Sequence, residues 1–335
     1  MRPPIVGVAL AGAAVLLAAC AGAGADVPEP SVTPTTSSAS PTTSATPSAT
    51  STATSAGRMP LTGLPAASAA ALARPAVVVA VQMVPGGRLS GIAGADVVYV
   101  DFDRSRHARL VAVYQSTDVT SVGPVTAAAP VDAHLFTLFA TPPYAFDGGP
   151  TGFVAQAKPP ALNPRDAAGS YRSLFRSAGA GGLVVSTSAL RASQRGGRPP
   201  MGGVLTFASD IAPAPTSTTV YTRIVVSVPG QDPMVFTWSA GAWTGPGGAR
   251  LANVVVQDVA YKSFTPHKSA TVGDPVVVGN GAAVVYAGQH GSAGTWSRKF
   301  PGTVTVYAVG TRPVGLLPGR TWVLLAPPGT RVTAS

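Results

Sequence analysis

Twelve aspartates, one glutamate, four histidines and one cysteine are the main acid–base and metal-binding repertoire of this 335-residue chain. The glutamate is Glu29, in a stretch of small polar residues outside the part expected to fold, so carboxylate chemistry falls to Asp. Val97 to Asp103 alternates. As a strand it puts Tyr99, Asp101 and Asp103 on one face and Val98, Val100 and Phe102 on the other. Arg104–His107 reads as a turn, after which Arg109, Val111 and Val113 share a face, so Asp101 can meet Arg109 as an ion pair. Two further chemistries stay open there. Asp101 and Asp103 offer oxygens to a hard cation, and paired carboxyls in unequal surroundings can divide acid and base roles. A salt-bridged or solvated strand face is the plainer meaning.

Other constellations are incomplete. His107 beside Asp103 with a serine would suit a hydrolase triad, but no Gly-x-Ser-x-Gly elbow is present, and His290-Gly291-Ser292 falls in what reads as a hairpin turn. His107, His134, His267 and His290 are dispersed without ligand spacing, and one cysteine cannot make a Cys-based zinc site or an internal disulfide. Gly279-Asn280-Gly281 lacks the third glycine of a dinucleotide loop and reads as a hairpin turn with φ > 0. No phosphate loop ending in Gly-Lys-Ser/Thr occurs, so the sequence implies no cofactor and no metal. Trp238, Trp243, Trp296 and Trp322 could form a glycan-stacking platform, although four Trp in a β core are more often packing.

These residues need elements to hold them. Period-two runs predict strands at about 76–82, 96–103 and 108–115, and another at Leu183–Val185. Helices are expected at about 127–140, 150–157, 167–177 and 187–194. Beyond a Pro- and Thr-rich stretch at 211–219 nearly every segment is strand-like: 220–228, 233–239, 252–260, 275–279, 282–287, 293–298, 303–309 and 321–326. The expected fold class is α+β, a mixed α/β domain at 58–210, a linker at 211–219, and an all-β barrel or sandwich at 220–335.

The N-terminus carries a different kind of chemistry. Met1-Arg2 precedes a nearly uncharged run that ends Leu17-Ala18-Ala19-Cys20. A basic start, a short apolar core and small residues before a cleavage point describe an export signal at 1–19. Ile5–Ala19 as a helix would reach about 22 Å, short of the roughly 30 Å of hydrocarbon in a bilayer. Leu-Ala-Ala-Cys resembles the lipobox of bacterial lipoproteins, in which the cysteine sulfur is acylated and the cysteine becomes residue one. Two acyl chains anchor stably where one is marginal. Residues 20–57 then form a tether of Ala, Ser, Thr, Pro and Gly, whose composition is that of disorder. The expected address is the outer face of the cytoplasmic membrane.

Only 11% of residues are charged, yet the formal net charge is +10. From Arg58 onward there are 22 Lys+Arg (all but Arg2) against 11 acidic residues (all but Asp26 and Glu29). Such a domain outside a membrane is drawn to anionic lipids and wall polymers, or is simply kept soluble. The arginines are scattered, with no basic stripe among aromatics, which argues against nucleic acid. Nineteen Arg against four Lys, with abundant Ala and Gly, suggests a high-GC genome, and an actinobacterium is the reading.

Pro60-Leu61-Thr62-Gly63-Leu64-Pro65, Arg74-Pro75-Ala76-Val77, Ala95-Asp96-Val97-Val98-Tyr99, Leu110–Tyr114 and Val122-Gly123-Pro124-Val125 follow one another in an order that resembles the YerB-like family of bacterial lipoproteins. Asn253–Gln257, Gly279-x-Gly281, Gly294-Thr295-Trp296 and Pro318-Gly319-Arg320-Thr321-Trp322 look like its C-terminal part, so the resemblance spans about 60 to 330. It implies a two-part domain of unknown function. Several polar motifs of the family are replaced here, as in Ala80-Val81-Gln82-Met83, Val100-Asp101 and Thr126–Pro130. Asp101, Arg109, Asp132, Tyr171 and Arg172 are the polar remnants. Two readings follow. One is a non-catalytic module that binds or scaffolds an anionic envelope polymer or an envelope protein, with Tyr99, Tyr171 and Arg172 as binding candidates. The other is an envelope glycan or peptidoglycan hydrolase or transferase using Asp101 and Asp132 with Arg109 as a charge clamp.

Overall fold

The structure, a computed structural model, describes residues 57–84, 88–102, 107–149, 161–179, 182–209, 217–265 and 272–335. Cys20 with its signal and tether, Asp103, His267, the expected helix at 150–157 and most of 211–219 lie outside these residues.

The first half contributes β1 (Val77–Gln82), β2 (Val97–Asp101), β3 (Arg109–Tyr114), β4 (Pro143–Phe146), β5 (Asn163–Asp166), β6 (Phe175–Ser177) and β7 (Leu183–Val185). Next come β8 (Arg223–Ser227), β9 (Met234–Ser239), β10 (Ala242–Thr244), β11 (Arg250–Leu251), β12 (Asn253–Asp258), β13 (Tyr261–Phe264) and β14 (Val272–Pro275). The last six are β15 (Gly279–Ala287), β16 (His290–Arg298), β17 (Val306–Val309), β18 (Arg312–Pro313), β19 (Thr321–Ala326) and β20 (Arg331–Ala334). Among the described residues the α-helices are few and short: α1 (Ala69–Leu72), α2 (Asp132–Leu135) and α3 (Thr187–Ala192). The described chain is mostly β.

Eleven strands form one sheet in the order β18-β17-β16-β15-β12-β19-β2-β3-β1-β4-β5. The expected division into an α/β part followed by an all-β part is not how this sheet is built. β19, from the last fifth of the chain, runs parallel to β2, with Val323 opposite Tyr99 and Leu325 opposite Asp101. The physical reason is edge satisfaction. β2 is covered on both faces and presents two ladder edges, which a central place between β3 and β19 satisfies.

Both faces of the sheet centre are covered, and every residue of β3 and of β19 is buried. On one face Val98, Val100, Leu110 and Trp322 join Ile224, Val226, Phe236 and Trp243 of a second sheet ordered β11-β10-β9-β8-β20. On the other, Val78, Val111, Val323 and Leu325 pack with Leu61, Leu135, Phe136 and Phe139. Three of the four tryptophans are fully buried and Trp238 is half-buried, so they serve as packing. Trp243 donates to the Gly288 carbonyl at 2.7 Å and Trp296 to that of Asp258 at 2.8 Å.

Three local expectations change. The helix expected at 127–140 shrinks to α2 and a 3-10 turn at Thr137–Phe139, because the Ala128 N–H bonds to the Gly148 carbonyl and holds the chain extended before Pro130. The helix at 167–177 is instead a 3-10 turn, Arg172–Leu174, followed by β6 paired with β7. Gly279-Asn280-Gly281 is no turn but the start of β15. Its glycines answer to crowding and backbone sign: Gly279 has φ 131°, and a Cβ at Gly281 would stand 2.6 Å from the Trp296 indole nitrogen.

Candidate functional site

The hairpin register read from the sequence holds. Asp101 ends β2 directly opposite Arg109 at the start of β3, and the two share the sheet face of Tyr99 and Val111. Asp101 is 0% exposed and Arg109 4%, with Nη1 of the arginine 3.6 Å from Oδ2 of the aspartate. The face is salt-bridged and dry.

Asp132 completes the cluster from the first turn of α2. One of its oxygens, Oδ2, accepts from Arg109 Nη2 at 2.5 Å, from the Tyr144 hydroxyl at 2.5 Å and from the Ala129 N–H at 2.8 Å. The other, Oδ1, is buried with no hydrogen-bond partner among the described residues. Arg109 also donates Nε to the Ala127 carbonyl at 2.9 Å and Nη2 to the Tyr144 hydroxyl at 2.8 Å. β4 supplies Tyr144 because Tyr144 and Phe146 alternate inward beside β1. At the Asp101 end, the Tyr261 hydroxyl lies 3.2 Å from Oδ1 and 2.7 Å from the Leu325 carbonyl, and accepts the Phe102 N–H at 3.0 Å.

Electrostatics follow the geometry. Burial opposes the charge on Arg109, but Asp132, Tyr144 and Asp101 outweigh it and raise its pKa further. Burial, then the Asp132 carboxyl, pushes the Tyr144 phenol well above its ordinary range, so it remains a donor. Burial also raises Asp274, with exposed His134 pulling it down and Asp132 pushing it up, which puts Asp274 within electrostatic reach of both. Arg109 thus sits clamped between two carboxyls. Among the described residues no group of three His, Cys, Asp or Glu is placed to hold a metal ion.

Among the described residues the binding candidates Tyr99, Tyr171 and Arg172 make no hydrogen bond to this cluster, although Tyr99 shares its sheet face. Tyr99 is half-buried, edge-on to Phe136 at 5.8 Å, with its phenol raised by burial against the lowering charge of Arg298. Tyr171 is 37% exposed beneath the Arg165 guanidinium at 4.3 Å. Arg172 is exposed and donates to the Phe175 carbonyl at 3.3 Å. Among the described residues neither Tyr171 nor Arg172 shares a hydrogen bond or ion pair with Asp101, Arg109 or Asp132. His290 opens β16 just beyond the turn, with Nδ1 3.1 Å from the Ser217 carbonyl. Tyr144, Tyr261 and Asp274 are the residues that sequence reasoning passed over. Only Tyr144 had a local signal, the Tyr-x-Phe alternation of β4. Tyr261 also lines a cavity of about 220 Å³ with Phe102, Gln231, Lys262 and Pro327-Pro328, whose lining includes none of Asp101, Arg109 and Asp132.

Two family models match the chain. "Protein of unknown function (DUF3048) N-terminal domain" covers residues 61–194 and its C-terminal counterpart covers 247–323, together more than half of the sequence. Asp101, Arg109, Asp132 and Tyr144 fall in the first and Arg320 in the second. Among solved structures, the crystal structure of YerB protein from Bacillus subtilis is similar with a TM-score of 0.67 and 19% identity, covering 82% of this chain and 99% of that one. At that identity the likeness concerns the fold. No curated protein matches.

Proposed function

We propose, for a chain that belongs to the two-part YerB-like family of unknown function, a non-catalytic module that binds or scaffolds an envelope component. One observation carries the reading. Asp101, Arg109 and Asp132, the residues an enzyme would need, are buried and committed to one another, to Tyr144 and to backbone groups. A guanidinium so engaged cannot also clamp a polymer, and a carboxyl shut from water cannot activate one. The module acts from the outer face of the cytoplasmic membrane, held by lipid on Cys20.

Incubating the full lipidated chain, immobilised, with purified anionic wall polymer, membrane vesicles and solubilised envelope proteins should show saturable retention of at least one. Retention of none removes the binding reading. Turnover of peptidoglycan or polysaccharide that vanishes in Asp101→Asn would establish the hydrolase or transferase instead. Cys20→Ala should leave the membrane fraction, and a variant that stays there rules out the lipid anchor.

A further inference from the structure

We propose that the cavity between Arg250 and Arg320 is a binding site for a singly charged oxyanion, a carboxylate or a phosphodiester. The cavity measures about 220 Å³ and its polar lining comes from Thr62, Asp96, Ser116, Arg250 and Arg320. Gly319 shapes the turn that delivers Arg320. It has φ 142°, and a Cβ there would stand 2.6 Å from that of Ala252, so only glycine lets the chain press so close. The Arg320 carbonyl then accepts the N–H groups of Ala252 at 3.0 Å and Asn253 at 3.2 Å, which pins the backbone beneath the guanidinium.

The charges lining the cavity do not cancel. Asp96 is buried, and both its oxygens are engaged: Oδ2 accepts the N–H of Gln115 at 2.6 Å and of Ser116 at 2.7 Å, and Oδ1 the Ser116 hydroxyl. Arg250 is exposed, and among the described residues its guanidinium is held by neutral acceptors only, the carbonyls of Ser239 and Ala240 and the hydroxyls of Ser239 and Thr244, so its position is set with no described carboxylate paired to it. Arg320 lies in the field of Asp96. Its guanidinium nevertheless makes no hydrogen bond or ion pair with any described residue, and its Nε is buried without an acceptor. A buried donor left unmade is costly, and a guanidinium fork matches a pair of oxygens on one carbon or phosphorus.

Two arginines against one aspartate leave an excess of one positive charge, which suits a monoanion; Asp96 would repel a second negative charge. The volume suits the charged end of a ligand, being below that of sites that enclose drug-sized molecules. The assignment rests on the cavity and stands whether or not the envelope reading does. Its rival is an Arg320 that merely faces Asp96 across water.

The test uses the full chain in detergent, labelled with 15N-arginine. The Arg320 Nε–H resonance, identified by its absence in Arg320→Gln, is followed while acetate, dimethyl phosphate or chloride is added at constant ionic strength. A saturable shift with acetate, dimethyl phosphate or both, and none with chloride, is expected; which of the two saturates tells a carboxylate source from a phosphate source. Arg320→Gln should abolish binding as seen on the Arg250 Nε–H, and Arg250→Gln should weaken it about tenfold on the Arg320 resonance. The second variant carries the test if near-UV circular dichroism shows the first to be misfolded. No saturation with either oxyanion, an equal response to chloride, or unchanged affinity in a folded variant overturns the proposal.

Discussion

Asp118 between Arg74 and Arg191, and Arg109 between Asp101 and Asp132, are one device with the signs exchanged. Asp118 holds Arg74 at 2.6 Å and also pairs with Arg191, tying the chain before β1 to the loop after β3 and to α3. Its side chain is 43% exposed, whereas that of Asp132 is 0%. In the first cluster water stands ready as an alternative partner for each charge. In the second burial removes that alternative, and Tyr144, Ala127 and Ala129 supply part of the hydrogen bonding in its place. The same pair of residue types is therefore an adjustable clasp in one place and an obligatory core element in the other.

The buried cluster is most vulnerable at Arg109. Arg109→Met leaves two buried carboxyls facing each other without a cation and should cost about 3–5 kcal/mol, read as a fall in the urea midpoint or as failure to fold. A loss below about 1 kcal/mol would mean that water reaches the cluster and that the contrast is false. Replacing the trio together, Asp101→Leu, Arg109→Met and Asp132→Leu, should recover most of that loss, since an apolar core avoids the desolvation of ions. Persistent instability of the triple variant would assign the cluster a role in specifying the fold.

Smaller effects sharpen the contrast. Tyr144→Phe withdraws one donor from Asp132 and should cost about 1–3 kcal/mol by the same measurement. Asp118→Asn should cost only about 0.2–1 kcal/mol, and less as salt is added. Its pH dependence has a definite sign. Burial alone would raise the pKa of Asp118, but Arg191 and Arg74 outweigh it and lower the value. The stabilisation is therefore complete above the ordinary carboxylate range near pH 4 and is lost as pH falls through the lower native value. Asp118→Asn should flatten that acid limb of the stability curve; an unchanged limb would mean that the clasp contributes nothing.

Much of the Arg109 cluster was legible in the chain because its first contact is local. Asp101 and Arg109 lie eight residues apart across one hairpin, and period-two alternation assigns both their faces and their register. Tyr261 meets Asp101 across 160 residues and Asp132 meets Arg109 across 23, through a turn whose Ala-rich sequence favoured a longer helix than formed. Propensity was overridden there by the pairing of Ala128 with Gly148, a contact that no local pattern announces.

The chain's local pattern already carried the strand faces around Asp101, its opposition to Arg109, and a composition in which a single glutamate outside the folded part leaves carboxylate chemistry to Asp. Only long-range pairing put β19 beside β2, joining both halves in one sheet, and so buried Asp101. The reason is physical. Alternation is a property of neighbours along the chain, whereas burial depends on which distant strand satisfies an open edge, and that choice settles whether two charged side chains meet a ligand or only each other.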